Sequence, residues 1–191
     1  MKQIFPIMGV CIILLICFIP GLSFADNQVI AGLSILSPNK IQYNTIRSKQ
    51  FWAKIPQNIK SQIVSYEIYE SKNFEIRKFI FKHGMPYNLD DSSNGAVSNE
   101  LALRKTSNVK KSIYPLKVSG FDARRISMTY DVKGGKMATE SLYIFDSATG
   151  RVWMIMFALA KKKPLNLFTN YNLDVECAEA SAILDSVGVI R

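Results

Sequence analysis

The chain has 191 residues with 24 Lys and Arg against 15 Asp and Glu, and its formal net charge of +9 favours an anionic partner over a cationic one. Its three cysteines, two of them in an apolar amino-terminal stretch, exclude a small disulfide-stapled scaffold. The single histidine excludes a zinc site of the two- or three-histidine kind, while the length suffices for one domain with a sizeable core.

Lys2 precedes an uncharged stretch that is densest from Ile7 to Ile19 and is broken by Pro20-Gly21. Ser23 and Ala25 are small residues at the two positions a signal peptidase reads, so residues 1–25 are expected to be a secretory signal cleaved before Asp26. The protein would then be exported, periplasmic or secreted, with no transmembrane span left. The rival is an uncleaved anchor, because no charge lies between Lys2 and Asp26 and a bilayer needs about 20 apolar residues. Cleavage would remove Cys11 and Cys17, keep Cys177, and lower the net charge from +9 to +8, since the segment holds Lys2 and no acid.

The segment 26–39 reads as a flexible lead-in, and 40–191 as a single α+β domain without repeats or long linkers. "FWAKIPQNIK" fits a strand entering a turn at Pro56-Gln57-Asn58, or the end of a helix stopped by Pro56, and the strand is preferred. Val64, Tyr66 and Ile68 then alternate with polar residues, the period of a half-buried strand. In "FEIRKFIFK" the apolar phase slips between Ile76 and Phe79, which implies a bulge or a buried second face. "HGMPYNLDDSSNG" reads as a loop, followed by a surface helix from Ala96 to Lys110 with Val97, Leu101, Arg104 and Asn108 in line.

Tyr114, Leu116 and Val118 alternate before Gly120, then Ile126, Met128, Tyr130 and Val132 alternate before a hairpin turn at Gly134-Gly135. "MATESLYIFD" returns and "SATG" turns. Nine apolar residues follow, Val152 to Ala160, too few to span a bilayer and apolar on both sides, so they form an interior strand that needs cover on each face. Lys161, Lys162 and Lys163 would begin its exposed connection, with Pro164 ending the strand. A last helix, capped by Asn172 or Asp174 and stopped by Gly188, lines up Cys177, Ala180, Leu184 and Val187. The fold class is α+β, an antiparallel meander covered by helices on both faces.

From Tyr114 to Val187 the order and spacing of these elements resemble the PsbP-like and DcrB-like families, through "VSGFDARRISMTYDVKGGKMATESLYIFDSATGRVWMIMFAL" and the helix "DVECAEASAILDSV". Gly120, Ala123, Tyr143 and the closing helix carry the likeness. The resemblance implies an accessory or adaptor domain that binds other proteins, with helices on both sheet faces and no catalytic centre in common.

Chemistry is sparse. His83 would complete a Ser-His-acid triad, but no Gly-x-Ser-x-Gly precedes a helix, and His83 before Gly84 reads as an exposed turn. Cys177 could act as a nucleophile with His83, although its place on the apolar helix face makes it a buried, inert thiol. Gly134-Gly135 between Lys133 and Lys136 is a hairpin tip and no phosphate loop, so no cofactor is implied. Asp90 to Gly95 has oxygen ligands at the alternation of a calcium loop, but the closing glutamate falls one residue early, at Glu100. No metal or catalytic residue is assigned.

What remains is basic surface. Lys40, Arg47, Lys49, Lys54 and Lys60 lie in one acid-free stretch and Arg104, Lys105, Lys110, Lys111 and Lys117 in a second. Such charge is either a solvated coat or an attraction to lipid headgroups, acidic glycans or an acidic protein face. The expected function is a non-enzymatic binding or adaptor protein of the cell envelope. It would engage an envelope protein or an anionic surface, and no nucleic acid, through Arg104, Lys105, Lys110, Lys111, Lys161, Lys162 and Lys163. The alternatives are an exported hydrolase using carboxylates such as Glu140 and Asp146, which share a strand face, and a periplasmic immunity-type inhibitor of a toxin.

Overall fold

Residues 25–102, 105–133, 135–162 and 173–190 are described by a computed structural model. In chain order the elements are β1 (Asp26–Ile30), β2 (Leu33–Ser37), β3 (Gln42–Tyr43), α1 (Thr45–Lys54), α2 (Gln57–Lys60), β4 (Ile63–Glu70), β5 (Phe74–Phe81), α3 (Leu89–Ala102), β6 (Ser107–Val118), β7 (Phe121–Val132), β8 (Gly135–Asp146), β9 (Arg151–Lys162), α4 (Leu173–Asp185) and β10 (Gly188–Val189). A seven-stranded sheet runs β3-β4-β5-β9-β8-β7-β6 and a three-stranded sheet runs β1-β2-β10. All pairs are antiparallel. Among the described residues no helix is long and apolar enough to cross a membrane.

The meander from β6 to β9 follows from its alternating sequence, and its last strand is interior, hydrogen-bonded to β5 on one side and β8 on the other. Alternation then assigns side chains to different clusters. Ala138, Leu142 and Ile144 of β8 join Trp153, Ile155 and Phe157 of β9, Leu33 and Ile35 of β2, and Ala180 and Leu184 of α4. Tyr143, between Leu142 and Ile144, joins Ile126, Met128 and Tyr130 of β7 and Leu89 and Val97 of α3. A third cluster gathers Ile63, Tyr66, Ile68, Phe79 and Val152 under Phe51, Trp52 and Ile55.

Several expectations need correction. The segment 26–39 is no loose lead-in: it forms the β1–β2 hairpin, in which Leu33 and Ile35 are wholly buried. Its turn uses Ala31 at φ 59° and Gly32 at φ 85°, the two positive angles of a tight hairpin connection. Alanine in that role hides the turn from a sequence reading. The stretch preferred as a strand before Pro56 is helix α1. The Asn44 side chain accepts from the Arg47 amide at 2.9 Å to cap it, and Ile55 is extended, as the residue before a proline must be.

The segment 83–95 is helical from Leu89, with the Asn88 side chain accepting from the amides of Asp90 at 2.8 Å and Asp91 at 3.2 Å. The helix expected from Ala96 to Lys110 therefore begins earlier and ends at Ala102, while Ser107 to Lys110 enter strand β6. Cross-strand pairing with β7 overrides the helical reading of the lysines there. The phase slip in β5 is a buried second face: its pairing with β9 runs unbroken from Phe74 to Ile80, and the irregular register lies in β4 between Ile63 and Ser65.

At the carboxy-terminal end, α4 stops at Asp185, and Gly188 opens β10 instead of ending the helix. Asp174 falls inside the helix, and Asn172 lies outside the described residues. Cys177 is half-buried against the first cluster, less enclosed than its helix position suggests. Lys161 and Lys162 are strand residues of β9, where an exposed connection was expected. The proposed signal, 1–24 of it, and the Gly134 of the hairpin turn also lie outside the described residues.

Candidate functional site

The register of the meander brings basic residues from separate segments to one end of the large sheet. Lys136 of β8 is the Cα partner of Lys161 of β9, and Gly135 is the partner of Lys162. Lys133 follows β7 directly and is exposed, as is Lys136. Lys105 lies just ahead of the edge strand β6 and is exposed. Lys110 and Lys111, also exposed, pair with Thr129 and Met128, so they sit about 7–10 Å along the strands from the Asp131 row at that end. Asp131, the partner of Lys136, accepts from the Asn108 side chain at 2.7 Å. Of the residues expected to contact a partner, Arg104 and Lys163 lie outside the described residues.

Sequence reading missed Lys133 and Lys136 as members of this group, treating them only as a hairpin tip. Counting pairs outward from the Gly134-Gly135 turn, and from the turn after Asp146, would have aligned Lys136 with Lys161. The other basic run is differently used. Arg47 pairs with Glu70 and, at 2.8 Å, with Glu75, and the Lys60 ammonium lies 5.9 Å from the Trp52 ring centroid. Lys117, from the second run, pairs with Asp122 at 2.7 Å, which holds the Asp122 carboxyl below its usual range.

The carboxylates considered for hydrolysis are not brought together. Glu140 and Asp146 share a face of β8 but stand about 20 Å apart at about 3.3 Å per residue, beyond the roughly 5–9.5 Å of a working carboxylate pair. Each has a structural task. Buried Glu140 accepts from the Ser127 hydroxyl at 2.6 Å and lies 3.6 Å from Arg125. Arg125 also reaches Asp185 at 2.8 Å and the Ser181 hydroxyl at 2.9 Å, tying α4 to the sheet. Asp146 accepts from the amides of Ala148 at 3.0 Å and Thr149 at 3.4 Å and from the Thr149 hydroxyl, shaping the β8–β9 turn.

His83 is exposed in the turn after β5, as expected. The calcium-loop reading of Asp90 to Gly95 is overturned, because those residues form the first turns of α3. Asp90 is gripped by the Arg124 guanidinium at 2.5 and 3.0 Å, and that hydrogen-bonded ion pair holds its carboxyl below the usual carboxylate range.

The class this defines is a mixed α+β protein built on antiparallel sheets, with Lys133, Lys136, Lys161 and Lys162 close together in register at one sheet end. No protein-family model matches the chain, and no curated protein matches it.

Proposed function

We propose that the protein is an exported, non-enzymatic binding module of the cell envelope that docks on an anionic partner through the basic end of its large sheet. The observation that carries this reading is the cross-strand pairing of Lys136 with Lys161, flanked by Lys133 and Lys162. Positive charge concentrated at one sheet end attracts an anionic partner. Export is supported by the start of β1 at Asp26, since cleavage after Ala25 would leave every described strand whole. A single domain with helices on both sheet faces is supported by the first cluster, which joins residues from Leu33 to Val187 and includes α4, together with the second, in which α3 packs on the opposite face of β7 and β8. Membership of the PsbP-like or DcrB-like class belongs to the same proposal and rests on the order of the meander and last helix.

Sedimentation with vesicles of anionic or zwitterionic lipid tests the docking. The protein should bind the anionic vesicles, be released by salt as screening shortens, and lose binding when Lys136, Lys161 and Lys162 become Gln. Binding that ignores both salt and these substitutions would refute the basic end as the contact. Edman sequencing of the protein recovered from cells should begin at Asp26. The hydrolase alternative has lost its carboxylate pair. An inhibitor would use the same basic end against an acidic protein, and retention by such a protein without any binding to vesicles would favour it.

A further inference from the structure

Under α3 lies a cavity of about 300 Å³, at the lower end of the range for small-molecule sites. Its floor is set by register: Glu75, Met156, Ser141 and Ile126 form one row across β5, β9, β8 and β7, and Ala158, Thr139 and Met128 form the next. Ala96, Val97 and Glu100 of α3 form the roof. The small side chain of Ala96 beside Val97 leaves room on this side of α3. Polar contacts hold the helix at its ends, Asp90 to Arg124 and Glu100 to the Tyr130 hydroxyl, so its middle spans the gap. The space is a half-open cleft of a size that admits a small ligand.

The lining says which kind. Val97, Ile126, Met128 and Met156 are apolar, and the two methionines can re-pack around a chain. The polar groups lining the space are the Arg77 guanidinium, the Thr139, Ser141 and Tyr143 hydroxyls and the carboxylates of Glu75 and Glu100, of which Glu100 accepts from the Tyr130 hydroxyl. Both oxygens of Glu75 are engaged, one by Arg77 Nε and the other by Arg47 at 2.8 Å. Arg77 is stacked with its guanidinium carbon 4.9 Å from the Phe51 centroid, and among the described residues only its Nε is committed to an acceptor. Its remaining N–H groups, with the Ser141 and Thr139 hydroxyls, suit an oxygen acceptor. The mouth is marked by Ala158, which is exposed and lies toward the sheet end where Lys136 meets Lys161, so the surrounding field draws in anions.

We propose that this cavity binds a medium-chain carboxylate, its head accepting hydrogen bonds from Arg77 and its chain lying along Met156 and Met128. The site is separate from the docking surface and stands whether or not the protein binds vesicles. Decanoate, methyl decanoate and decylammonium are titrated into the full chain by calorimetry, with methyl NMR of labelled methionines. Decanoate should bind and shift the Met128 and Met156 methyls, the ester should bind more weakly, and the ammonium should not bind. Arg77→Gln should lower decanoate affinity by about tenfold or more, the loss of a charge-assisted hydrogen bond, while sparing the ester. Ala158→Phe, at an exposed position, should block both. Equal binding of decanoate and decylammonium, unmoved methionine methyls, or full affinity in folded Arg77→Gln would each overturn the assignment. If Arg77→Gln does not fold, the native ligand series and Ala158→Phe decide it.

Discussion

The Trp153 indole N–H donates a 2.9 Å hydrogen bond to the carbonyl of Ala31, joining the start of β9 to the β1–β2 turn 122 residues earlier. Ala31 holds a left-handed backbone angle there, φ 59°, and the neighbouring Gly32 packs so that a Cβ would meet the indole at 3.8 Å. The turn, the short sheet and the large sheet thus share one anchor. Trp153→Ala should cost about 3–5 kcal/mol, the range for deleting a large buried aromatic. Trp153→Phe keeps much of the apolar volume but leaves the Ala31 carbonyl unpaired, and should cost about 1–3 kcal/mol. Urea denaturation separates the two. A negligible loss in Trp153→Phe would show that the hydrogen bond contributes nothing.

Arg125 makes a different kind of anchor. It is 3% exposed, touches Glu140, Ser181 and Asp185, and has an Nε without a partner. Removing it with Arg125→Met strands the buried Glu140 carboxylate, and should cost about 3–5 kcal/mol. Pairing that change with Glu140→Leu should restore much of the loss, because no unpaired charge is left inside. Asp185 is exposed, so Asp185→Asn should cost under about 1 kcal/mol. Denaturant midpoints of the single and double variants give the coupling, and additive losses would contradict it.

Two glycines with similar angles separate backbone strain from steric clash. Gly84 has φ +78° with open space around its missing Cβ, whereas Gly150 has φ +68° and a Cβ there would stand 2.8 Å from the Phe81 carbonyl oxygen. Gly84→Ala should cost about 1–2 kcal/mol, the penalty of a left-handed residue. Gly150→Ala should exceed that clearly, because the Phe81 amide also bonds the Gly150 carbonyl at 2.9 Å and the backbone has little room to shift. Thermal unfolding of the two variants makes the comparison.

Burial sets the alkaline limit of stability. It pushes the Tyr143 hydroxyl up to about 12, and raises Tyr66, Tyr69 and Tyr87 as well, with the Glu67 hydrogen bond adding to burial at Tyr69. An unfolded tyrosine ionises near pH 10, about two units sooner than folded Tyr143. Between those values the unfolded chain sheds protons that the folded chain keeps. Stability is therefore fully present below about pH 10 and falls as pH rises toward 12. In an absorbance titration Tyr66, Tyr69, Tyr87 and Tyr143 should ionise late, together with the loss of the fold. A single early transition with the fold intact would contradict the burial of these rings.

The meander was legible because period-two alternation reports burial directly: Ile126, Met128 and Tyr130, and the apolar run around Trp153, could occupy few other structures. Even the phase slip in β5 carried a correct alternative, since Phe74 and Ile76 serve one cluster and Phe79 another. The amino-terminal half was hard because its signals are local and weak. Ala31 gives no sign of a hairpin turn, Asp-Ser-Ser-Asn-Gly looks like a loop until Asn88 caps it as a helix, and α1 has few apolar residues until Phe51 and Trp52 meet the sheet. Lys161 and Lys162 were found by composition, but their lysine neighbours Lys133 and Lys136 were not.

By itself, then, the sequence determined the antiparallel strands of the second half, the basic balance and the scarcity of nucleophiles and metal ligands, all properties of residues near one another in the chain. Register and packing decided the rest. Only the pairing of β8 with β9 sets Lys136 opposite Lys161, and only the docking of α3 on the large sheet leaves a cavity between Val97 and Met156. Each of these depends on contacts distant in sequence, whose free energy is realised only when the strands are already aligned.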